Sequence, residues 1–131
     1  MTRRGTDEPA SRLRDRRARL RRGLGAELVA CVLLSAKGYR ILARRHRTPF
    51  GEVDIIAARG RRLAFVEVKR RLTLEAAQAA LTPHQAGRIA RAADYWLDRN
   101  PRFRDHEIGL DAVLIVPSRW PVHIRNGLDA I

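Results

Sequence analysis

Two acids and a lysine in the run Gly51–Arg71, "GEVDIIAARGRRLAFVEVKRR", have the types and spacing of a phosphoryl-transfer centre: Asp54, Glu67 and Lys69. Alternate residues of a strand share a face, so Glu67 and Lys69 project together with Cα atoms about 7 Å apart, while Val66 and Val68 point the other way. Asp54 sits on the preceding strand, and across a tight hairpin both carboxylates converge on one point. Hard carboxylate oxygens from neighbouring strands, with room for water, suit a Mg²⁺ ion. Glu52 shares the face of Asp54 and is either a helper or a strand-edge charge. The alternative for Glu67 and Lys69 is the polar face of a half-exposed strand.

The lysine is informative because of what surrounds it. The 131-residue chain carries 27 Lys and Arg against 14 Asp and Glu, and only Lys37 and Lys69 are lysines. A compact ammonium beside metal-binding carboxylates holds or deprotonates a water, or neutralises a phosphoryl oxygen, more freely than a planar guanidinium. Glu27 is a third acid of interest. It is the only charged residue between Gly23 and Ser35, and its apolar neighbours include Leu24, Cys31 and Leu34. It either borders the core and reaches outward or is drawn to a positive centre such as a metal or Lys69.

The elements that must position these groups follow from periodicity. Gly25–Lys37 reads as a helix with Leu28, Val29, Val32, Leu33 and Ala36 recurring and Gly38 as its stop. Tyr39–Arg45 reads as a strand. Two more, 51–58 and 63–70, are joined by Arg59-Gly60-Arg61. Thr82 and Pro83 begin a second helix with a buried stripe of Ala86, Ile89, Ala93, Trp96 and Leu97, ended by Asn100-Pro101. Thr82 and Gln85 match a capping box, in which the glutamine side chain returns to the cap. Strands at 110–116 and 122–125 complete the order αβββαββ, an α/β domain with a mixed sheet flanked by helices. Residues 23–131 form this single domain. Residues 1–22 hold nine arginines and few large apolar residues, and read as a mobile arm or frayed helix, either solvated or bound to DNA phosphate.

Composition narrows the partners. A net charge of +13 points first to nucleic acid. One cysteine excludes an intramolecular disulfide and fits a reducing cytoplasm. No apolar run reaches the roughly 18 residues of a membrane span. His46, His84, His106 and His123 lack the paired spacing of a zinc site and read as surface or loop residues.

With Glu27, G-E-V-D at 51–54 and F-V-E-V-K at 65–69, the chain resembles the YraN-like bacterial endonuclease family within the PD-(D/E)xK superfamily, and is most similar there to archaeal Holliday junction resolvases. The resemblance covers about residues 23–128, supported more weakly by "TPHQAGRIARAADYWL" at 82–97. It implies a restriction-endonuclease-like core in which Asp54 and Glu67 bind Mg²⁺ or Mn²⁺, Lys69 serves the attacking water and Glu27 is an accessory acid. The chain departs from the family pattern at Arg44-Arg45-His46, at Gln85 and at Leu110-Asp111. The expected activity is cleavage of structured or branched DNA, with a homodimer as the form that cuts two symmetric strands. Arg44, Arg45, Arg47, Arg61, Arg62, Arg70 and Arg71 would contact phosphates without reading sequence. The alternatives are a nucleic-acid-binding module that keeps the fold with little turnover, and an RNA- or ribosome-associated basic protein whose acids are structural.

Overall fold

The computed structural model describes residues 10–129. Helix α1 (Ala10–Ala36) leads into β1 (Arg40–Thr48), β2 (Gly51–Arg59) and β3 (Arg62–Arg70), followed by α2 (Leu74–Ala79), α3 (Pro83–Arg99), a 3₁₀ turn at Pro101–Phe103, β4 (Glu107–Ile115) and β5 (Val122–Ile124). The five strands lie in sequence order β1-β2-β3-β4-β5. Neighbours are antiparallel except β3 and β4, which run parallel from Arg62↔Glu107 to Arg70↔Ile115. A parallel pair needs a crossover long enough to return the chain, and α2 and α3 supply it. The predicted mixed sheet flanked by helices is thus the observed one.

The β2–β3 hairpin closes through two residues, Gly60 and Arg61, with Gly60 at φ +57°. A side chain at that first turn position would be strained, which is why glycine stands there. On one face of the sheet, Val53, Ile56 and Phe65 pack against Ile89, Ala92, Ala93 and Trp96 of α3. Phe65 and Trp96 meet edge to face at 5.8 Å. The other face buries Ile55, Ala57, Ala64, Val66 and Val113 against Ala30 and Leu34 of α1. At the start of α3, Thr82 accepts the Gln85 amide at 3.3 Å and Pro83 takes the first helical position, as the sequence predicts.

Helix α1 departs from expectation in extent and in face. It starts at Ala10, so residues 10–22 of the predicted arm continue the helix; residues 1–9 of that arm lie outside the described residues. Among its described side chains Ala26, Glu27, Ala30 and Leu34 are buried, whereas Leu28, Val29 and Val32 are exposed. The segment is apolar almost all round, so period alone does not choose a face, and the small Ala26 and Ala30 let the helix lie close to the sheet. Helix α2 was not predicted. Thr73 caps it by accepting the Ala76 amide at 3.1 Å, and Ala77 packs on Ala112 and Leu114.

A buried ion pair ties the sheet together. Arg62, predicted to reach DNA, is only 4 % exposed, and its guanidinium donates to Asp111 at 2.7 and 2.8 Å, to Tyr39 Oη at 3.1 Å and to Asn126 at 3.2 Å. A guanidinium so enclosed is not available to a phosphate, and Arg62 is withdrawn from that set. Gly109 makes room, since a Cβ there would stand 2.2 Å from Arg62 Nη2. Burial alone would raise the Asp111 pKa, but hydrogen bonds from Arg62, His123 and the Asn126 amide outweigh it and hold the carboxyl well below its ordinary range. Removing one member of such a pair strands a buried charge, so Asp111→Ala should cost about 3–5 kcal/mol in urea unfolding. The double variant Arg62→Met/Asp111→Leu should recover much of that loss; equal losses would show that charge burial is not what the pair controls.

Candidate active site

Strands β2 and β3 are paired from Arg59↔Arg62 to Ile55↔Val66 and then part. At the next step Asp54 Oδ2 accepts the Val68 amide at 2.8 Å, so a side chain takes the place of the lost backbone partner. Strand β3 meanwhile stays paired with β4 through Arg70. The opening between the strands holds the predicted acids and lysine. Lys69 Nζ lies 3.0 Å from Glu67 Oε1, and both side chains are largely buried. Glu67 Oε2 is buried without a hydrogen-bond partner. An orphaned carboxylate oxygen at that depth is costly unless a cation or proton meets it.

Asp54 reports the same crowding. Its pKa is pushed up to about 7, first by burial, then by the charge of Glu67, with a smaller push from Glu27; the Val68 amide and Lys69 act in the opposite direction. Among the described residues no group of three His, Cys, Asp or Glu side chains converges as a ready-made metal cage. Two carboxylates with water completing the shell are, however, an arrangement that Mg²⁺ accepts. The free oxygen of Glu67 and the second oxygen of Asp54 fit that donor set.

Glu27 has found a different positive centre from those expected. It is 7 % exposed and pairs with Arg44 at 3.2 Å and Arg45 at 3.8 Å, both on β1. Glu52 pairs with Arg45 and Arg47 at 3.6 and 3.9 Å, which is its strand-edge role. Of the other predicted phosphate contacts, Arg47 is 91 % exposed, Arg70 is half-buried and Arg71 is exposed. Arg61 pairs with Asp105 beside the hairpin turn, at the end of β3 remote from Lys69.

Two residues of α3 join the site without having been predicted there. Gln85 does not return its side chain to Thr82. With its amide turned to satisfy both ends, the oxygen accepts from Lys69 Nζ at 2.8 Å and the nitrogen donates to Ala80 O at 2.6 Å. Arg88, one turn further on, approaches the start of β2, where a Cβ on Gly51 would meet its Cδ at 2.6 Å, and its Nε is buried without a partner. The i, i+3 spacing of Gln85 and Arg88 places them on one helix face, the signal that marks them as a pair. His123 also corrects expectation: its side chain is 2 % exposed and bonded to Asp111.

Comparison with known proteins fixes the family. The model of "Uncharacterised protein family UPF0102" matches residues 26–115, and the chain belongs to that family. The match includes Glu27, both strands of the hairpin and the Gln85 helix, and leaves the basic N-terminal half of α1 outside. A UPF0102 protein of Rhodopseudomonas palustris (strain BisB5) is 49 % identical over 116 residues, 88 % of each chain. Relatives in Parvibaculum lavamentivorans and Nitrobacter winogradskyi are each 52 % identical, covering 83 % and 82 % of this chain and 82 % and 92 % of their own.

The Asp54 pKa carries a testable consequence. Between an ordinary carboxyl pKa of 3.8 and about 7, the native state binds a proton that the unfolded state does not. Stability therefore falls as pH rises through that window. Asp54→Asn keeps an acceptor for Val68 and removes this effect, so at pH 8 it should be more stable than the parent, on the order of 2 kcal/mol, and nearly equal at pH 4. Urea unfolding from pH 4 to 8 measures it, and parallel curves for the two proteins would refute it.

Proposed function

We propose that the chain is a metal-dependent endodeoxyribonuclease acting on structured or branched DNA. The observation that carries this reading is the meeting of Asp54, Glu67 and Lys69 where β2 and β3 part, with one oxygen of Glu67 buried and unpaired. Asp54 and Glu67 would hold Mg²⁺ or Mn²⁺. Such an ion supplies Lewis acidity, polarising a phosphoryl oxygen and lowering the pKa of water.

The side chains do the rest. An ammonium has three donors, and Glu67 and Gln85 take two from Lys69. The third is left to orient a water or to meet charge developing on phosphorus, and the two fixed bonds keep it in place. Arg88, half-buried beside Gly51, adds a positive charge near the start of β2. Arg47, Arg70 and Arg71 extend the positive surface along β1 and past the end of β3, and Arg44 and Arg45 leave part of their charge to Glu27. The excess of 27 basic over 14 acidic residues favours association with a polyanion. Buried carboxylates would repel phosphate in a protein that only bound DNA, which favours turnover over binding alone. Among the described residues no helix is long and apolar enough to cross a membrane.

The test is cleavage of a panel of flaps, junctions, duplex and single strands with Mg²⁺ or Mn²⁺. Asp54→Ala and Glu67→Ala should each lose about a hundredfold or more in rate while staying folded, and Lys69→Arg should bind DNA normally yet cleave about a hundredfold more slowly. Parental rates in the carboxylate variants would sink the assignment, and parental rates in Lys69→Arg would reduce the lysine to a point charge.

A further inference from the structure

The other lysine also stands where an arginine would not serve. Lys37 is exposed at the end of α1, and its Nζ touches His123 Nδ1. His123 Nε2 lies 2.8 Å from Asp111 Oδ2. Because Asp111 is ionised and accepts at that position, Nε2 carries the ring proton and Nδ1 presents a lone pair to the lysine. Tyr39 packs edge-on to the imidazole at 5.9 Å and helps to hold its plane. Asp111 is fixed in turn by two bonds from Arg62 and one from the Asn126 amide at 2.9 Å. A nucleophile, a base with its lone pair aimed at it and a buried carboxylate orienting the base form the sequence used in acyl-transfer triads, here with an amine in the first place.

The charges around the amine act in the same direction. Burial lowers the Lys37 pKa, as do the nearby guanidinium groups of Arg59, Arg125 and Arg62, with Asp111 opposing them. Arg59 is held beside it, donating to the Lys37 carbonyl at 3.1 Å with its guanidinium 4.8 Å above the Tyr39 ring. A purely structural contact to His123 could be made by arginine, which this chain uses almost everywhere else. Arginine is never deprotonated in proteins and cannot act as an amine nucleophile.

We propose that Lys37 is a nucleophilic amine that condenses with an aldehyde carried beside a phosphate, and that its substrate is the ring-opened deoxyribose of an abasic site in DNA. The choice of DNA rests on the reading of the previous subsection; the choice of aldehyde rests on the amine, its base and the two exposed-side cations Arg59 and Arg125, which suit the flanking phosphate. The nitrogen lone pair attacks the aldehyde carbon and the carbonyl electrons move to oxygen, which takes up a proton from solvent water. His123 Nδ1 accepts the proton released from nitrogen, and Asp111 stabilises the imidazolium. That proton then goes to the carbinolamine hydroxyl, which leaves as water as the C=N bond forms. The iminium that results returns one proton to solvent, so amine and aldehyde give imine and water, and no oxidant or reductant is needed.

The experiment traps the imine. The full chain is incubated with a duplex holding one abasic site, in a chelator so that cleavage chemistry is absent, and cyanoborohydride reduces any imine to a stable adduct. A parallel reaction uses pyridoxal phosphate as a small phosphorylated aldehyde, and peptide mass mapping locates the modified amine. The expected result is a DNA adduct on Lys37, at least tenfold weaker in Lys37→Arg with unchanged non-covalent DNA binding, and slower to form in His123→Asn. No adduct, equal adduct in Lys37→Arg, or modification confined to Lys69 or the N-terminal amine would overturn the proposal. Labelling of Lys37 by pyridoxal phosphate without a DNA adduct would overturn the abasic-site assignment. Because metal is absent throughout, none of these outcomes depends on whether Asp54 and Glu67 support cleavage.

Discussion

The hydrogen bond from the Val68 amide to Asp54 resolves a conflict built into β3. That strand is central, paired to β2 on one side and β4 on the other, and a fully paired strand has no free space beside it. Parting from β2 after Val66 opens a cleft but leaves a buried amide without its ladder partner, a loss worth roughly 1–3 kcal/mol if uncompensated. A carboxylate on β2 meets that amide, so the same residue ends the pairing and furnishes the cleft with charge. The continued pairing with β4 as far as Arg70 keeps Glu67 and Lys69 on a rigid strand while β2 turns away. Precision at the site is thus set by the sheet, and the two apolar layers against α1 and α3 supply the stability that three neighbouring acids remove.

Arginine and lysine divide the work of positive charge by whether a proton or a compact donor is needed. Arg62 neutralises the fully buried Asp111 with a two-pronged bond, and Arg44 and Arg45 clasp Glu27 from β1. These are permanent charges in fixed forks, the task for which a planar guanidinium is suited. The two lysines instead lie against groups that exchange protons or accept from a small tetrahedral donor: Lys69 against Glu67 and Gln85, Lys37 against His123. In a chain with so strong a preference for arginine, both exceptions coincide with networks of titratable side chains.

What the sequence makes legible is what local rules decide. The hairpin follows from two apolar runs about Gly60, the pairing of Glu67 with Lys69 from strand alternation, and the start of α3 from Thr82 and Pro83. The face of α1 is not legible because Leu28, Val29 and Val32 are as apolar as the residues actually buried; the choice falls to Ala30 and Leu34 through fit to the sheet. Arg62 lies in a run of basic residues and looks like any of them, and only the parallel pairing of β3 with β4 brings Asp111 and Asn126 within its reach. The antiparallel pairing of β5 with β4 brings His123 to Asp111. Gln85 obeys the capping pattern in its backbone and leaves it in its side chain, because Lys69 and the Ala80 carbonyl are better partners than the cap. Of these conflicts between a local rule and the final contact, that of Gln85 lies at the candidate site, and those of Arg62 and His123 lie in the network around Asp111.

The charges around the cleft leave one carboxylate without a matching cation. Glu27 is matched by Arg44, and Glu67 by Lys69, but Asp54 has only a backbone amide. An amide dipole does not cancel a full charge at that depth, so the site as folded is one positive charge short. Raising the Asp54 pKa to about 7 is the response available to the protein alone: near neutrality a proton fills the deficit part of the time. A divalent ion would fill it more completely and would also meet the unpaired oxygen of Glu67, which a single proton on Asp54 leaves exposed to the apolar interior. It would leave the cleft with a surplus positive charge, changing its attitude to phosphate from repulsion to attraction. The exterior is basic whatever the ion does, so DNA would be drawn to the surface in either state, but only the filled cleft would admit a phosphate between Lys69 and Arg88. On the proposed function, substrate entry and metal occupancy would therefore be coupled through the charge of Asp54.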